Sequence, residues 1–296
     1  MALIPFDDRD GWIWLNGRLV AWRDAKIHVL THALHYAAAA FEGERAYGGR
    51  IFKSREHSQR LLESARILGY EVPYTAEQID RAKAETIAAN KLSDCYVRPI
   101  AWRGSEVMGV SAQAAKINVA VAAWEWPSYF SPELREKGIK MCWAKWSRPA
   151  PNTAPTNSKA SGLYMICTLS KHAAEAEGCQ DALMLDWRGQ IAEATGANVF
   201  LVINGEIHTP TPDCFLNGIT RRTVIDLARQ RQYKVIERVV WPSDLAKAQE
   251  VFLTGTAAEV TPVGQIAEHK FTPGAITRSL MDDYSALVRA APAKAA

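Results

Sequence analysis

Two Asn-Gly pairs place the first constraint on this chain. Asn16-Gly17 separates Trp12-Ile13-Trp14-Leu15 from Arg18-Leu19-Val20-Ala21-Trp22, and Asn204-Gly205 separates Asn198–Ile203 from Glu206-Ile207-His208. A two-residue hairpin turn needs positive φ at both central positions, which Asn and Gly supply at least cost. Antiparallel pairing is therefore expected in both halves of the 296 residues. Phe41 to Tyr47 and Arg50-Ile51-Phe52-Lys53 repeat the pattern around Gly48-Gly49, and Cys95–Trp102 and Ile117–Trp124 also read as strands. Helices alternate with them. Leu61, Leu62, Ala65 and Leu68 share a helical face that Gly69 is placed to terminate. Thr75 with Gln78 three residues later predicts a capping box, opening a helix to about Asn90.

Pro127 to Pro132 interrupts this order and predicts an interdomain linker over 127–135, between an N-terminal domain of residues 1–126 and a C-terminal one of 136–296. In the second, Ile139–Trp146, Ala182–Asp186 and Glu250–Leu253 read as strands. A helical face carries Leu163, Ile166, Cys167 and Ala174. Helices are expected from Ile219 to Gln230 and from Gly274 to Arg289, the last spacing Ile276, Leu280, Tyr284 and Leu287. The fold class is mixed α/β.

Charge narrows the partners. Lys and Arg total 35 against 32 acids, a net charge of +3 with no long basic run. That argues against nucleic acid and anionic membranes and for small anions at most. The five cysteines, Cys95, Cys142, Cys167, Cys179 and Cys214, form no CxxC pair, which fits reduced, buried thiols and no metal site. The N-terminus turns acidic too early for a secretory signal, and no apolar run is long enough to span a bilayer. A cytoplasmic location is expected.

The most informative stretch is Asn152 to Tyr164, the end of a long proline-rich loop in which one lysine, Lys159, stands among small side chains. Long loops inside compact domains tend to be functional. A desolvated lysine loses its proton readily and condenses with aldehydes. Three other segments suit the same chemistry. Leu216-Asn217-Gly218-Ile219-Thr220 leads a glycine turn into a helix, a natural phosphate seat. Leu253-Thr254-Gly255-Thr256-Ala257-Ala258-Glu259 offers a second turn with a hydroxyl and accessible amides. Glu193 sits in a Gly/Ala-rich segment between apolar strands, where a carboxylate beside a pyridine nitrogen would keep that nitrogen protonated.

At these residues the chain resembles the fold-type IV, class IV pyridoxal-phosphate aminotransferases, and within them the bacterial branched-chain amino-acid aminotransferases. The motifs are His35-Tyr36-Ala37-Ala38-Ala39-Ala40-Phe41-Glu42-Gly43-Glu44-Arg45, Arg55-Glu56-His57-Ser58-Gln59-Arg60-Leu61, Tyr96-Val97-Arg98-Pro99, Ser158-Lys159-Ala160, Gly218-Ile219-Thr220-Arg221 and Gly255-Thr256-Ala257-Ala258-Glu259. The resemblance implies a smaller N-terminal α/β domain, a larger C-terminal pseudo-barrel domain and a homodimer or higher assembly. It implies that Lys159 carries pyridoxal 5′-phosphate covalently, Glu193 faces its ring nitrogen and Tyr164 its phenolic oxygen. Arg60, Gly218, Ile219, Thr220 and Thr256 would hold the phosphate.

For the substrate, Tyr96 and Arg98 lie two apart on a strand and share a face. By the same resemblance Arg98 would meet the distal carboxylate of glutamate or 2-oxoglutarate. Tyr96 and the amides of Thr256, Ala257 and Ala258 would take the α-carboxylate. Tyr36, Phe41, Trp126, Tyr129 and Tyr164 would box an aliphatic side chain, and Met108-Gly109-Val110 matches a loop of this subgroup. Two positions depart from the family pattern: Ala37 stands where glycine is usual, and Glu44 where an apolar residue is usual. Rivals of the same fold are a D-amino-acid transaminase, an (R)-amine transaminase and an aminodeoxychorismate lyase. A rival of another class is a non-catalytic phosphate-binding module.

Overall fold

The computed structural model describes residues 4–126 and 131–290. Tyr129 and part of the expected linker lie outside the described residues. The chain divides into two compact units, one made of Met1–Pro127 with Ser158–Leu163 and the other of Ser128–Asn157 with Tyr164–Ala296. The lysine segment thus clusters with the first unit, whereas the sequence placed it in the second. Main-chain bonding is the reason. Ala160 bridges Ala40, Phe41 N–H donates to Lys159 O at 3.2 Å, and Ser64 Oγ accepts the Lys159 N–H at 3.0 Å.

The first unit is an antiparallel sheet with helices. Its elements are β1 (Trp12–Leu15), β2 (Arg18–Ala21), α1 (His32–Tyr36), β3 (Ala39–Phe41), β4 (Glu44–Tyr47), β5 (Arg50–Ile51), α2 (Ser54–Ile67), α3 (Ala76–Ala89), β6 (Cys95–Arg103) and β7 (Ile117–Glu125). The strand order is β2-β1-β7-β6-β4-β5, with β3 also on β6. Asn16 and Gly17 take φ of +48° and +98°, as the hairpin requires. Thr75 and Gln78 form the reciprocal capping box. Leu61 and Ala65 of α2 and Ile79 and Ala82 of α3 close over Val97, Val119 and Val121 of the sheet.

The second unit contains α4 (Pro132–Lys137), β8 (Ile139–Trp143), α5 (Met165–Ala176), β9 (Asp181–Leu185), β10 (Ile191–Ala194), β11 (Asn198–Ile203), β12 (Glu206–Pro210), α6 (Ile219–Gln230), β13 (Val235–Arg238), β14 (Glu250–Gly255), β15 (Glu259–Ile266), β16 (His269–Lys270) and α7 (Ala275–Arg289). The strands run β10-β9-β8-β15-β14-β11-β12-β13, with β16 on β15. Ile191 N–H donates to Val240 O, two residues past β13, so the last strand curls back toward the first. Val199, Leu201, Val251, Leu253 and Val263 fill the enclosed core.

Several expectations are corrected. Residues 132–137, which overlap the expected linker, are helical: Ser131 caps Leu134 N–H and Pro132 opens the helix. β8 stops at Trp143, where its pairing with β9 ends. Glu193 lies within a strand rather than in a segment between strands. β13 and β15 were not expected: β13 is a short edge strand with a Glu-Arg end, and β15 is interrupted by Pro262 and Gly264. On α7 the buried face is Thr277, Leu280, Tyr284 and Val288, and Leu287 is exposed.

Glu44, one of the two departures, is fully buried and bonds Lys83 Nζ of α3 at 2.8 and 3.1 Å. Lys83, also fully buried, donates to Ser54 O at 3.0 Å and lies 3.1 Å from Asp80. Breaking a buried pair strands a charge, whereas replacing both ends with apolar groups is close to neutral. Lys83→Met alone is expected to cost about 3–5 kcal/mol in denaturant unfolding, and Glu44→Leu with Lys83→Met to recover most of it. A double variant no more stable than Lys83→Met shows that the pair is not the relevant unit.

Candidate active site

In the first unit the Lys159 main chain is fixed to β3 and α2 through Phe41 and Ser64, and Ser158 Oγ donates to Ser64 O at 2.9 Å. The lysine amine stands 5.2 Å from the centre of the Phe41 ring. Burial, and then the positive charge of Arg60, lower the amine from an ordinary 10.5 to about 8; Glu42 opposes the fall. At pH 7 roughly a tenth of such an amine is unprotonated, far more than for a surface lysine.

Around it β6 contributes the residues expected for substrate. Arg98 Nη2 donates to Tyr96 Oη at 3.1 Å, and its guanidinium lies 4.8 Å from the Phe41 ring centre and 5.2 Å from that of Tyr96. The Trp126 ring centre stands 5.0 Å from that of Tyr96. Among the described residues Arg98 has no carboxylate within ion-pair distance, and its Nε is buried without a partner. A cation held by aromatic rings and answered by no acid suits an incoming carboxylate. Gly43 makes room for this wall: a Cβ there would lie 2.0 Å from Tyr96 Oη. Tyr36, at the end of α1, is 43% exposed and stacks on His32 at 4.7 Å, outside this cluster. His32 Nε2 bonds Gly109 O at 2.9 Å, tying α1 to the Met108-Gly109-Val110 loop.

Arg60 shows what sequence reasoning missed. Its Nε and Nη2 donate to the two oxygens of Glu42 at 2.6 and 2.8 Å, and His57 Nδ1 bonds Glu42 Oε2 at 2.7 Å. A carboxylate only accepts, so His57 carries its proton on Nδ1. Glu42 is wholly buried, which by itself would raise its pKa; Arg60 and His57 overcome this and hold it well below the carboxylate range. Glu42 and His57 both stand in the family motifs, but only their proximity in the fold reveals the triad.

Ala37, the other departure, takes φ +55° and ψ +24° at the end of α1, a left-handed position that explains the usual glycine. Its methyl abuts Gly162, where an added Cβ would come within 2.9 Å.

In the second unit one side chain gathers the remaining candidates. Asn198 of β11 donates to Glu193 Oε2 at 3.2 Å and to Leu216 O at 3.0 Å, and accepts the Gly218 N–H at 3.2 Å. Gly218 is required by approach rather than by φ, since its Cβ would lie 2.3 Å from Asn198 Oδ1. Ile219 and Thr220 begin α6 buried, and no side chain caps the helix. A buried, uncapped N-terminus fits an anion such as phosphate. Gly255, before Thr256, Ala257 and Ala258, packs against Ala197 and Gly196, so the second turn lies beside the strand pair that carries Glu193. Glu193 Oε1 is 3.4 Å from Arg148 Nε, and the Arg148 charge also acts on Tyr164. Asp186, Asp213 and Cys214 lie close enough to share a cation, but Arg188 already bonds both acids.

Comparison with known proteins settles the family. The profile of the amino-transferase class IV family matches residues 39–266. The chain belongs to the class IV aminotransferases. It is 40% identical over 288 residues to the branched-chain-amino-acid aminotransferase of Pseudomonas aeruginosa, covering 95% of this chain and 94% of that one. A T.th. branched-chain amino acid aminotransferase with pyridoxamine 5′-phosphate superposes with a TM-score of 0.92 at 38% identity, covering 95% of both chains. The T.th. enzyme complexed with N-(5′-phosphopyridoxyl)-L-glutamate gives 0.90 at 37% identity, again over 95% of each chain. Membership makes this class IV aminotransferase a pyridoxal-phosphate enzyme and sets aside the non-catalytic module.

The lowered amine has a direct consequence. Reductive methylation of the cofactor-free protein, read by peptide mass spectrometry against pH, is expected to give a midpoint near 8 for Lys159. Exposed lysines follow their ordinary value of about 10.5. A Lys159 midpoint no lower than theirs contradicts the desolvated site.

Proposed function

We propose that this aminotransferase moves the amino group of branched-chain L-amino acids, leucine, isoleucine and valine, to 2-oxoglutarate, giving branched 2-oxo acids and L-glutamate. The observation that carries the reading is Lys159, a buried amine near neutrality in the same unit as an aromatic-lined arginine that no acid answers. Relatives named as branched-chain aminotransferases over nearly the whole chain support the substrate class.

When bound, pyridoxal phosphate supplies an electron sink for the pair released as the substrate Cα–H bond breaks. The rest falls to the chain's own residues. Lys159 would hold the cofactor covalently and, as a free amine, would take the Cα proton. Glu193, fixed by Asn198 and Arg148, keeps the ring nitrogen protonated, and Tyr164 meets the phenolic oxygen. Arg60, the Gly218-Ile219-Thr220 start of α6 and Thr256 hold the phosphate. Tyr96 and the Thr256, Ala257 and Ala258 amides receive the α-carboxylate. Phe41, Trp126 and Tyr164 would line the space for the aliphatic chain, and Arg98 would take the distal carboxylate of 2-oxoglutarate. One pocket then serves both half-reactions, because the cation is held against rings that also contact an alkyl chain.

The domain division at residue 127, a cytoplasmic location and self-association complete the proposal. Among the described residues no helix is long and apolar enough to cross a membrane. Ile27, Val29, Leu30, Leu34 and Tyr36, with Met108 and Val110, are exposed, an apolar concentration that fits a second copy of the chain.

Borohydride treatment of the yellow holoprotein should bleach it and leave the cofactor on Lys159, read by mass spectrometry; no adduct there refutes the reading. Transamination with 2-oxoglutarate should proceed from L-leucine, L-isoleucine and L-valine. Turnover of D-alanine or (R)-1-phenylethylamine alone transfers the chain to one of its rivals. Arg98→Ala should lower kcat/KM for 2-oxoglutarate by about 100-fold, as expected for a lost charge-assisted contact, and leave the leucine half-reaction within a fewfold. Equal losses in both would make Arg98 a scaffold residue.

A further inference from the structure

The phosphate-binding role proposed for Arg60 leaves a question of charge. A guanidinium next to a lysine that must hold a cofactor lowers that lysine's affinity for a proton. Glu42 engages Arg60, His57 engages Glu42, and both lie outside the roles given to the site so far. Glu42 follows β3, with its N–H bonded to Pro99 O at 2.8 Å, so its backbone is locked to the strand carrying Tyr96 and Arg98. Its carboxylate grips Arg60 with two parallel bonds and takes the His57 proton on one of the same oxygens. His57 and Arg60 are three apart on α2 and reach the carboxylate from one helix face.

We propose that Glu42 and His57 are positioning residues for the cofactor site. They fix the plane of Arg60, and the Glu42 charge offsets the Arg60 charge at the nitrogen of Lys159. The inference rests on the cofactor reading given under the proposed function.

The field at the Lys159 nitrogen has identifiable sources. Arg60 and Arg98 act against its protonated form, and Glu42 and Tyr96 act for it. Glu42 is faced by Arg60 and His57, and by Glu44, whose own partner is Lys83. His57 therefore acts on two buried carboxylates. His57 gives Glu42 an Nδ1–H bond on one oxygen and so orients it. A bidentate grip also restricts the guanidinium to one plane, which a single bond does not.

Removing the Glu42 charge takes away a negative charge that favours the protonated Lys159 nitrogen, so that nitrogen should release its proton at lower pH. In the holoenzyme that proton is read from the pH dependence of the cofactor's visible absorbance. Glu42→Gln is expected to move the midpoint down by about one pH unit. It should also speed cofactor release about tenfold, since Arg60 loses its fixed plane. His57→Leu should speed release similarly, and His57→Asn, which restores a donor near the Nδ1 position, should return it toward the parent value. A merely structural role predicts lowered melting temperatures with an unmoved midpoint and no difference between the two His57 variants; that result overturns the proposal. If Glu42→Gln does not fold, the two His57 variants decide alone. If the parent enzyme gives no borohydride adduct on Lys159, the cofactor reading has failed; if it does and the variants titrate like the parent, only this inference has.

Discussion

An amine held out of water is the physical fact on which the first unit turns. Taking a lysine into a protein interior disfavours its charge, and here the penalty is kept moderate rather than removed. The Lys159 nitrogen falls only to about 8 because Glu42 opposes Arg60. Such an amine is near enough to neutral to attack a carbonyl and basic enough to hold a proton taken from carbon. Full desolvation with no acid nearby would give a good nucleophile and a poor base. The bonds that pin the Lys159 main chain to β3 and α2 matter for the same reason. They place the nitrogen in a fixed field instead of leaving it on a mobile loop.

The same balance recurs in the second unit with opposite sign. Glu193 is kept near a buried cation, Arg148, and its orientation comes from Asn198, whose amide and carbonyl are all engaged. Asp181 accepts Thr195 Oγ1 at 2.6 Å and so holds the turn that follows Glu193. A carboxylate fixed in this way suits the ring-nitrogen role proposed for it. Rigid strands carry both groups, so the small-residue turns between them remain available for ligand contact.

Local signals made most of this fold legible. Asn16-Gly17, Gly69, the Thr75–Gln78 box and the Ile219–Gln230 helix follow from turn chemistry, capping and periodicity, each confined to a few neighbouring residues. Long-range effects were not legible. Glu193 reads as a turn acid because its neighbours are small, yet pairing with β9 makes the segment a strand. β15 carries Pro262 and Gly264, which hide it until β14 and β8 pair on either side. Lys159, Glu193 and the two glycine turns were found from residue type and surroundings. The support behind them, Glu42 and His57 behind Arg60, Arg148 and Asn198, was not, because each is an ordinary polar residue until folding brings it to a partner.

The two departures from the family pattern show how such support accommodates change. Glu44 is paired in register with Val97, and directly opposed residues in a sheet project to the same face. Tyr96 and Arg98 flank Val97, so their side chains lie on the other face. Glu44 therefore points to the helices, where Lys83 answers it, and the substrate wall is left as the motif prescribes. Ala37 lies toward the lysine loop. It accepts a left-handed conformation that an L-residue resists and presses its methyl toward Gly162, three residues beyond Lys159. A glycine at 37 would be free to move where this alanine is not. The change that carries no charge is thus the one with mechanical access to the lysine loop, and the buried charge is answered by Lys83 on the helix side.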